Sequence, residues 1–280
     1  MSPAAAFPAG SCDSHVHVFG PPGLHPTAVD PAWDAPNAGV ERLLAVHASL
    51  GIARGVLVQP SVYATDHRAM VRALGIAGPG YTGCITAKGV IEATDAELAA
   101  LHAAGVRGGR FSRPGLASSV AADVIPRALA RLAELGWYAK LQPDPRHFAD
   151  MIAPFHETRV PLLIDHMGRP RLGDGEDDAN LRATRHLLAD RGAWLLLSLA
   201  DRISVAGPPW DDVVTVASAL IELAPGRVLW GSDWPHLGHQ GAAPSDLALA
   251  ELLARMAPDA ALRQAILVDN PARLLGPARC

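Results

Sequence analysis

The stretch "PLLIDHM", residues 161–167, is apolar through its middle and ends on an aspartate and a histidine. Such a run reads as a strand buried on both faces, with polar groups delivered at its C-terminal end. Seven other stretches are further strand candidates: "SCDSHVHV" (11–18), "RGVLVQP" (54–60), "YTGCITAK" (81–88), "VRGGRFS" (106–112), "WYAKLQP" (137–143), "WLLLSLA" (194–200) and "RVLWGSDW" (227–234). Several of them are also apolar throughout. Helical patterns separate them, and no GxGxxG follows the first strand. Strict alternation of this kind predicts an α/β fold, a (β/α)8 TIM barrel, rather than a doubly wound sheet.

The helical segments carry their own signals. Val40, Leu43, Leu44 and Leu50 keep to one face, and Gly51 suits a C-cap. Thr94 and Glu97 have the spacing of a capping box, with Gly105 closing that helix. Further helices are expected over 124–136, 211–226, 245–256 and 259–275, with Ser245 as an N-cap. No shift in composition marks a second domain, so residues 1–280 read as one barrel with 1–10 as a loose leading segment. The Pro/Gly-rich segments 19–37 and 202–211 are candidate walls or lids of a site.

Composition narrows the partners. Apolar residues make up 49% and charged residues 19%, with a net charge of −4, as in a globular protein. No basic patch points to nucleic acid or a membrane surface. Cys12, Cys84 and Cys280 form no metal-like spacing, and their odd, sparse count fits a reducing cytosol. The start "MSPAAAFPAG" lacks a positive n-region and an apolar run. A cytoplasmic protein, monomer or homo-oligomer, is expected.

Barrels of this kind place their chemistry at the C-terminal ends of the strands. There the sequence puts His15 and His17, Gln59, Ser61 and Tyr63, Arg110 and Arg113, Lys140 and Gln142, Asp165 and His166, Asp201 and Arg202, then Asp233, Trp234 and His236. Residues i and i+2 of a strand share a side, so His15 and His17 hold a metal, line a polar pocket, or share that side by accident. His25, His47, His67, His102, His147, His156 and His186 fall away from this rim and are expected at the surface.

"DSHVHVFGP", "LLIDHMGRP" and "LWGSDWPH", in this order, resemble the amidohydrolase superfamily (amidohydrolase 2 type). With "LADRIS" (199–204) they are similar to its lactonase branch, which opens lactones such as 2-pyrone-4,6-dicarboxylate. The resemblance spans about residues 11–275. It implies Asp233 as general base, with His15, His17 and His166 around the scissile carbonyl. It implies Arg110 and Arg202 on substrate carboxylates, Ser61 as a substrate contact, and Arg113, Tyr63, Gln142 and His236 as further pocket residues. The substrate class implied is a small carboxylated lactone: a pyrone dicarboxylate, a muconolactone or a sugar-acid lactone. A Zn-dependent decarboxylase of an aromatic or muconate-type acid, and a lactone isomerase, are the alternatives.

His15, His17, His166 and Asp233 also suffice for one zinc ion with an open position. A second metal is not expected, because Arg110 and Gln142 stand where the superfamily's bridging carboxylate or lysine and its strand-5 histidine belong. A guanidinium beside a divalent cation is unfavourable. A metal-free site is the favoured expectation, with a single Zn²⁺ the alternative.

Overall fold

Eight parallel strands follow one another around a nearly closed barrel: β1 (Cys12–Val16), β2 (Arg54–Val58), β3 (Tyr81–Thr86), β4 (Val106–Phe111), β5 (Tyr138–Leu141), β6 (Leu162–Ile164), β7 (Trp194–Leu197) and β8 (Val228–Trp230). The computed structural model describes residues 7–21, 23–28, 38–238 and 243–276. All eight expected strands are present, each shorter than its apolar stretch, because the polar ends turn out of the ladder into loops. Parts of the expected lid, residues 22 and 29–37, lie outside the described residues, as do residues 1–6 and Cys280. Of the leading segment, Phe7 packs its ring 5.0 Å from that of Trp230.

Helices cover the outside. Val40–Leu50 ends on Gly51 with φ 77°, and Asp95–Ala104 starts with the Thr94–Glu97 capping box and ends on Gly105. Ile125–Leu135, Asp211–Leu223 and Asp246–Met256 follow the expected segments, Ser245 capping the last of them. Arg68–Ala77 and Ala179–Asp190 fill the β2–β3 and β6–β7 connections, and the short helix Phe148–Met151 lies between β5 and β6. Among the described residues, no helix is long and apolar enough to cross a membrane.

Two layers of packing result. Leu43, Leu132, Leu187 and Leu220 press from the helices onto the outer faces of the strands. Inside the barrel, Cys12, Val56, Val58, Cys84, Tyr138, Leu163, Leu196 and Leu229 form a second apolar cluster. It floors the barrel and leaves the opposite end of the interior to polar groups.

The seam between β1 and β8 differs from the other joints. Its links include one bridge, Val16 to Trp234, the His17 N–H donating to Trp234 O at 2.8 Å, and the Asp233 N–H donating to His15 O at 3.0 Å. The strands come very close: a Cβ on Gly231 would lie 2.8 Å from the His15 nitrogen. Only glycine permits that approach. Two of the motifs noted in the sequence therefore meet at the seam.

Candidate active site

His15 and His17 leave β1 with their Nε2 atoms 3.3 Å apart. Asp233 follows β8 in the left-handed region (φ 61°) and puts Oδ1 3.5 Å from His15 Nε2 and 3.7 Å from His17 Nε2. After β6 the chain makes a left-handed turn through His166 (φ 53°), Met167 (φ 54°), Gly168 (φ 78°) and Arg169 (φ 51°). Such a run is strained and persists because its surroundings hold it. At Gly168 a Cβ would overlap the Thr184 hydroxyl. The turn brings His166 back over the barrel mouth, its ring centroid 4.9 Å from that of His15.

Below these groups lies a buried charged network. The Asp165 carboxylate accepts from Arg110 Nε at 2.9 Å and pairs with Lys140 Nζ at 2.7 Å. His15 Nδ1 lies 3.4 Å from the same carboxylate. Burial would raise the Asp165 pKa, but Lys140, His15 and Arg110 hold it well below the usual range. Lys140 and Asp165 are fully buried, and such charges are tolerated only when paired.

The ring protons follow from the partners. His17 Nδ1 faces the Val58 carbonyl at 2.8 Å, which only accepts, so Nδ1 carries a proton. Asp165 likewise fixes the proton of His15 on Nδ1. Arg110 Nη2, a donor only, faces His166 Nε2 at 3.3 Å, so His166 keeps its proton on Nδ1 and donates to Ser198 Oγ at 2.8 Å. Burial lowers all three imidazole pKa values, that of His17 to about 3, so the rings are neutral. All three Nε2 atoms therefore present lone pairs inward. Two lone pairs 3.3 Å apart beside a carboxylate repel one another unless a positive centre sits between them.

That donor set fits one divalent cation. Donors about 2.0 Å from a tetrahedral zinc lie about 3.3 Å from each other, close to the separations among His15 Nε2, His17 Nε2 and Asp233 Oδ1. Both histidines also have the outer partner that zinc-binding imidazoles use, a carboxylate for His15 and a backbone carbonyl for His17. The His166 lone pair is taken up by Arg110.

The other expected residues fall into different surroundings. Arg202 donates from Nη2 to Asp233 Oδ2 and from Nη1 to Leu237 O. Burial would raise the Asp233 pKa, yet His166, Arg202, His15 and His17 hold it below the usual carboxylate range. Arg113 stands 3.9 Å from Asp144. The buried Gln142 carboxamide oxygen has no hydrogen-bond partner among the described residues. Ser61 opens a short turn ending at Tyr63, whose hydroxyl accepts the Gly20 N–H at 3.2 Å. His236 Nε2 lies 3.1 Å from Asp246.

One residue escaped the sequence reading. Arg169 is partly buried, and its guanidinium makes no hydrogen bond or ion pair among the described residues. Its pKa is lowered by burial and by Arg202 and Arg113 nearby, with Asp233 and Asp144 opposing. Its place in "DHMGRP", three residues after His166, was the available signal.

A (β/α)8 barrel with two histidines from its first strand, an aspartate from its last and a third histidine between them defines a hydrolase-type site. The amidohydrolase family profile matches residues 12–276, and the chain belongs to that family. It is 39% identical over 275 residues to a 4-sulfomuconolactone hydrolase of Rhizobium radiobacter, across 97% of this chain and 91% of that protein. It is 35% identical to a 2-pyrone-4,6-dicarboxylate hydrolase of Comamonas testosteroni, across 98% and 93%. The crystal structure of an Agrobacterium tumefaciens protein superposes with a TM-score of 0.85, at 26% identity over the full length of both chains. The names of the two hydrolases agree with the resemblance to the lactone-opening branch.

Proposed function

We propose that this protein hydrolyses the ring ester of a small lactone bearing carboxylate or sulfonate groups. The observation that carries the reading is the convergence of Asp233 with three imidazoles beside the Arg169 guanidinium, which has no partner among the described residues. The names of the two hydrolase relatives supply the lactone and its anionic groups.

In this reading Asp233 Oδ1 takes a proton from water as the water oxygen attacks the lactone carbonyl carbon. The ring C–O bond then breaks, and the proton passes to the departing enol or alcohol oxygen. Arg202 holds Oδ2 and thereby aims Oδ1 at the histidines. Arg169 and Arg113 receive the anionic groups of the substrate, a planar fork meeting a carboxylate or sulfonate. Ser61 and Gln142 line the wall. Arg110 and Arg202 hold Asp165 and Asp233 in the free site rather than standing open to substrate.

The inward lone pairs require positive charge near the carbonyl oxygen. His15, His17 and Asp233 would hold one Zn²⁺, which when bound supplies Lewis-acid polarisation of that oxygen. The metal-free alternative needs one proton shared across the 3.3 Å gap between the two Nε2 atoms, taken up against the burial that keeps the rings neutral in the free site.

The test is hydrolysis of 2-pyrone-4,6-dicarboxylate and 4-sulfomuconolactone, followed by ultraviolet absorbance, with metal analysis before and after chelation. Ring opening by the protein is the expected result. Loss of activity on chelation and its return with zinc would assign the metal; full activity without metal would assign the shared proton. Failure to open either lactone, with CO2 released from an aromatic acid instead, would replace the hydrolase reading by a decarboxylase.

A further inference from the structure

His47 was expected at the surface, yet it is 2% exposed, on the buried face of helix Val40–Leu50. Its Nδ1 lies 2.8 Å from the Tyr81 hydroxyl, and its Nε2 lies 3.4 Å from Asp13 Oδ2. Asp13 and Tyr81 are buried as well. The His47 and Tyr81 rings stack with centroids 5.8 Å apart. Gly55 on β2 leaves them room, since a Cβ there would lie 2.6 Å from the Tyr81 ring. A carboxylate, an imidazole and a phenol thus form one chain inside the wall of the barrel. Nothing in the proposed reaction uses them.

The other oxygen of Asp13 shows what the chain does. Oδ1 accepts two backbone N–H groups, from His15 at 3.1 Å and from Ser232 at 3.0 Å. One belongs to β1 and the other follows β8, so a single carboxylate oxygen ties the two sides of the seam. Each tied residue is, or directly precedes, a group of the site: His15 itself, and Asp233 after Ser232. At this joint the carboxylate substitutes for ladder hydrogen bonds that the other strand pairs supply.

We infer that Asp13, His47 and Tyr81 are positioning residues that set the spacing of His15 from Asp233 across the β1–β8 seam. Tyr81 holds His47, His47 holds Asp13, and Asp13 holds the two backbones from which the reacting side chains project. The inference rests on the reading that His15 and Asp233 carry the chemistry. Misplacing a reacting group by a fraction of an ångström lowers turnover while leaving substrate binding nearly intact.

The experiment compares Asp13→Ala, Asp13→Asn, His47→Gln and Tyr81→Phe with the wild type on 2-pyrone-4,6-dicarboxylate. It also records the imidazole nitrogen resonances of His15 and His17. Asp13→Ala is expected to lower kcat about 10- to 100-fold with KM within twofold, the usual scale for partners behind a site. Asp13→Asn should recover most of that loss, because its carboxamide oxygen still accepts both N–H groups. His47→Gln and Tyr81→Phe should each lower kcat about threefold, the cost of one neutral hydrogen bond.

A folded Asp13→Ala with wild-type kcat and only a lower unfolding temperature would overturn the inference. If that variant does not fold, wild-type kcat in both His47→Gln and Tyr81→Phe would overturn it equally. If the wild type opens no lactone, the functional reading has failed on its own. The resonances then decide: unshifted His15 signals in Tyr81→Phe refute the tether, and shifted ones support it.

Discussion

Arg110 and Arg169 carry the same guanidinium in opposite circumstances. Arg110 lies at the floor of the site, buried, with Nε on Asp165 and Nη2 against His166. Arg169 lies at the rim, partly open, with no partner among the described residues and with Arg113 and Arg202 as neighbours. At the floor both cations, Arg110 and Lys140, are paired directly with one carboxylate, which lies beside the imidazole above it. At the rim Arg202 and Arg113 have Asp233 and Asp144 as partners, and Arg169 has no carboxylate partner among the described residues. A protein keeps unneutralised guanidinium beside a reactive carboxylate at an electrostatic cost, and an anionic ligand relieves it. Residue type alone does not distinguish a structural arginine from a binding one; the available carboxylates do.

The largest effect is expected where floor and rim meet. Asp233→Asn should lower kcat by about 10²- to 10⁴-fold, the range of a lost general base. Asparagine tolerates the left-handed backbone at this position, so the fold should survive. Circular dichroism with steady-state kinetics checks both halves, and retention of near-wild-type turnover would remove Asp233 as the base. Next comes the floor. Arg110→Met leaves Asp165 with Lys140 as its one remaining strong cation and should cost about 3 kcal/mol of stability, measured by urea unfolding.

The rim should respond in binding instead. Arg169→Met is expected to raise KM about 10-fold or more with little change in kcat, the value of a charged hydrogen bond. Arg113→Met should show a smaller rise, because that side chain is 38% exposed and screened. Equal losses of stability in Arg110→Met and Arg169→Met would erase the distinction between floor and rim.

The smallest effect lies outside both regions. Burial lowers the His67 pKa to about 4, with Asp66 opposing. The unfolded chain binds that proton near pH 6.5, so the folded state is favoured above that pH and loses this contribution as pH falls towards 4. Urea midpoints should decline across that window in the wild type and decline less in His67→Gln. An unchanged decline would assign the acid sensitivity elsewhere.

Much of the fold is legible in the order of residues. The eight strands show because parallel strands are buried on both faces and appear as apolar runs. The helices with clear caps at Gly51, Thr94, Gly105 and Ser245 show for the same local reason. Helix Arg68–Ala77, which has no side-chain N-cap, and the arginine-rich Ala179–Asp190 emerge with the structure. Of the site, His15, His17, His166 and Asp233 are legible, since strand ends in a barrel converge on one mouth.

Local pattern in the sequence was enough for the barrel and for the residue types that its strand ends gather at one mouth. Those follow from local pattern and from a topology that local pattern almost dictates. Tertiary structure decided which arginine meets which carboxylate, where each imidazole keeps its proton, and that His47 is interior. It also placed Asp13 across the seam from Ser232, 219 positions away in the chain. Such choices depend on distances between side chains far apart in sequence, and hydrogen bonds and charge pairs change character over less than an ångström.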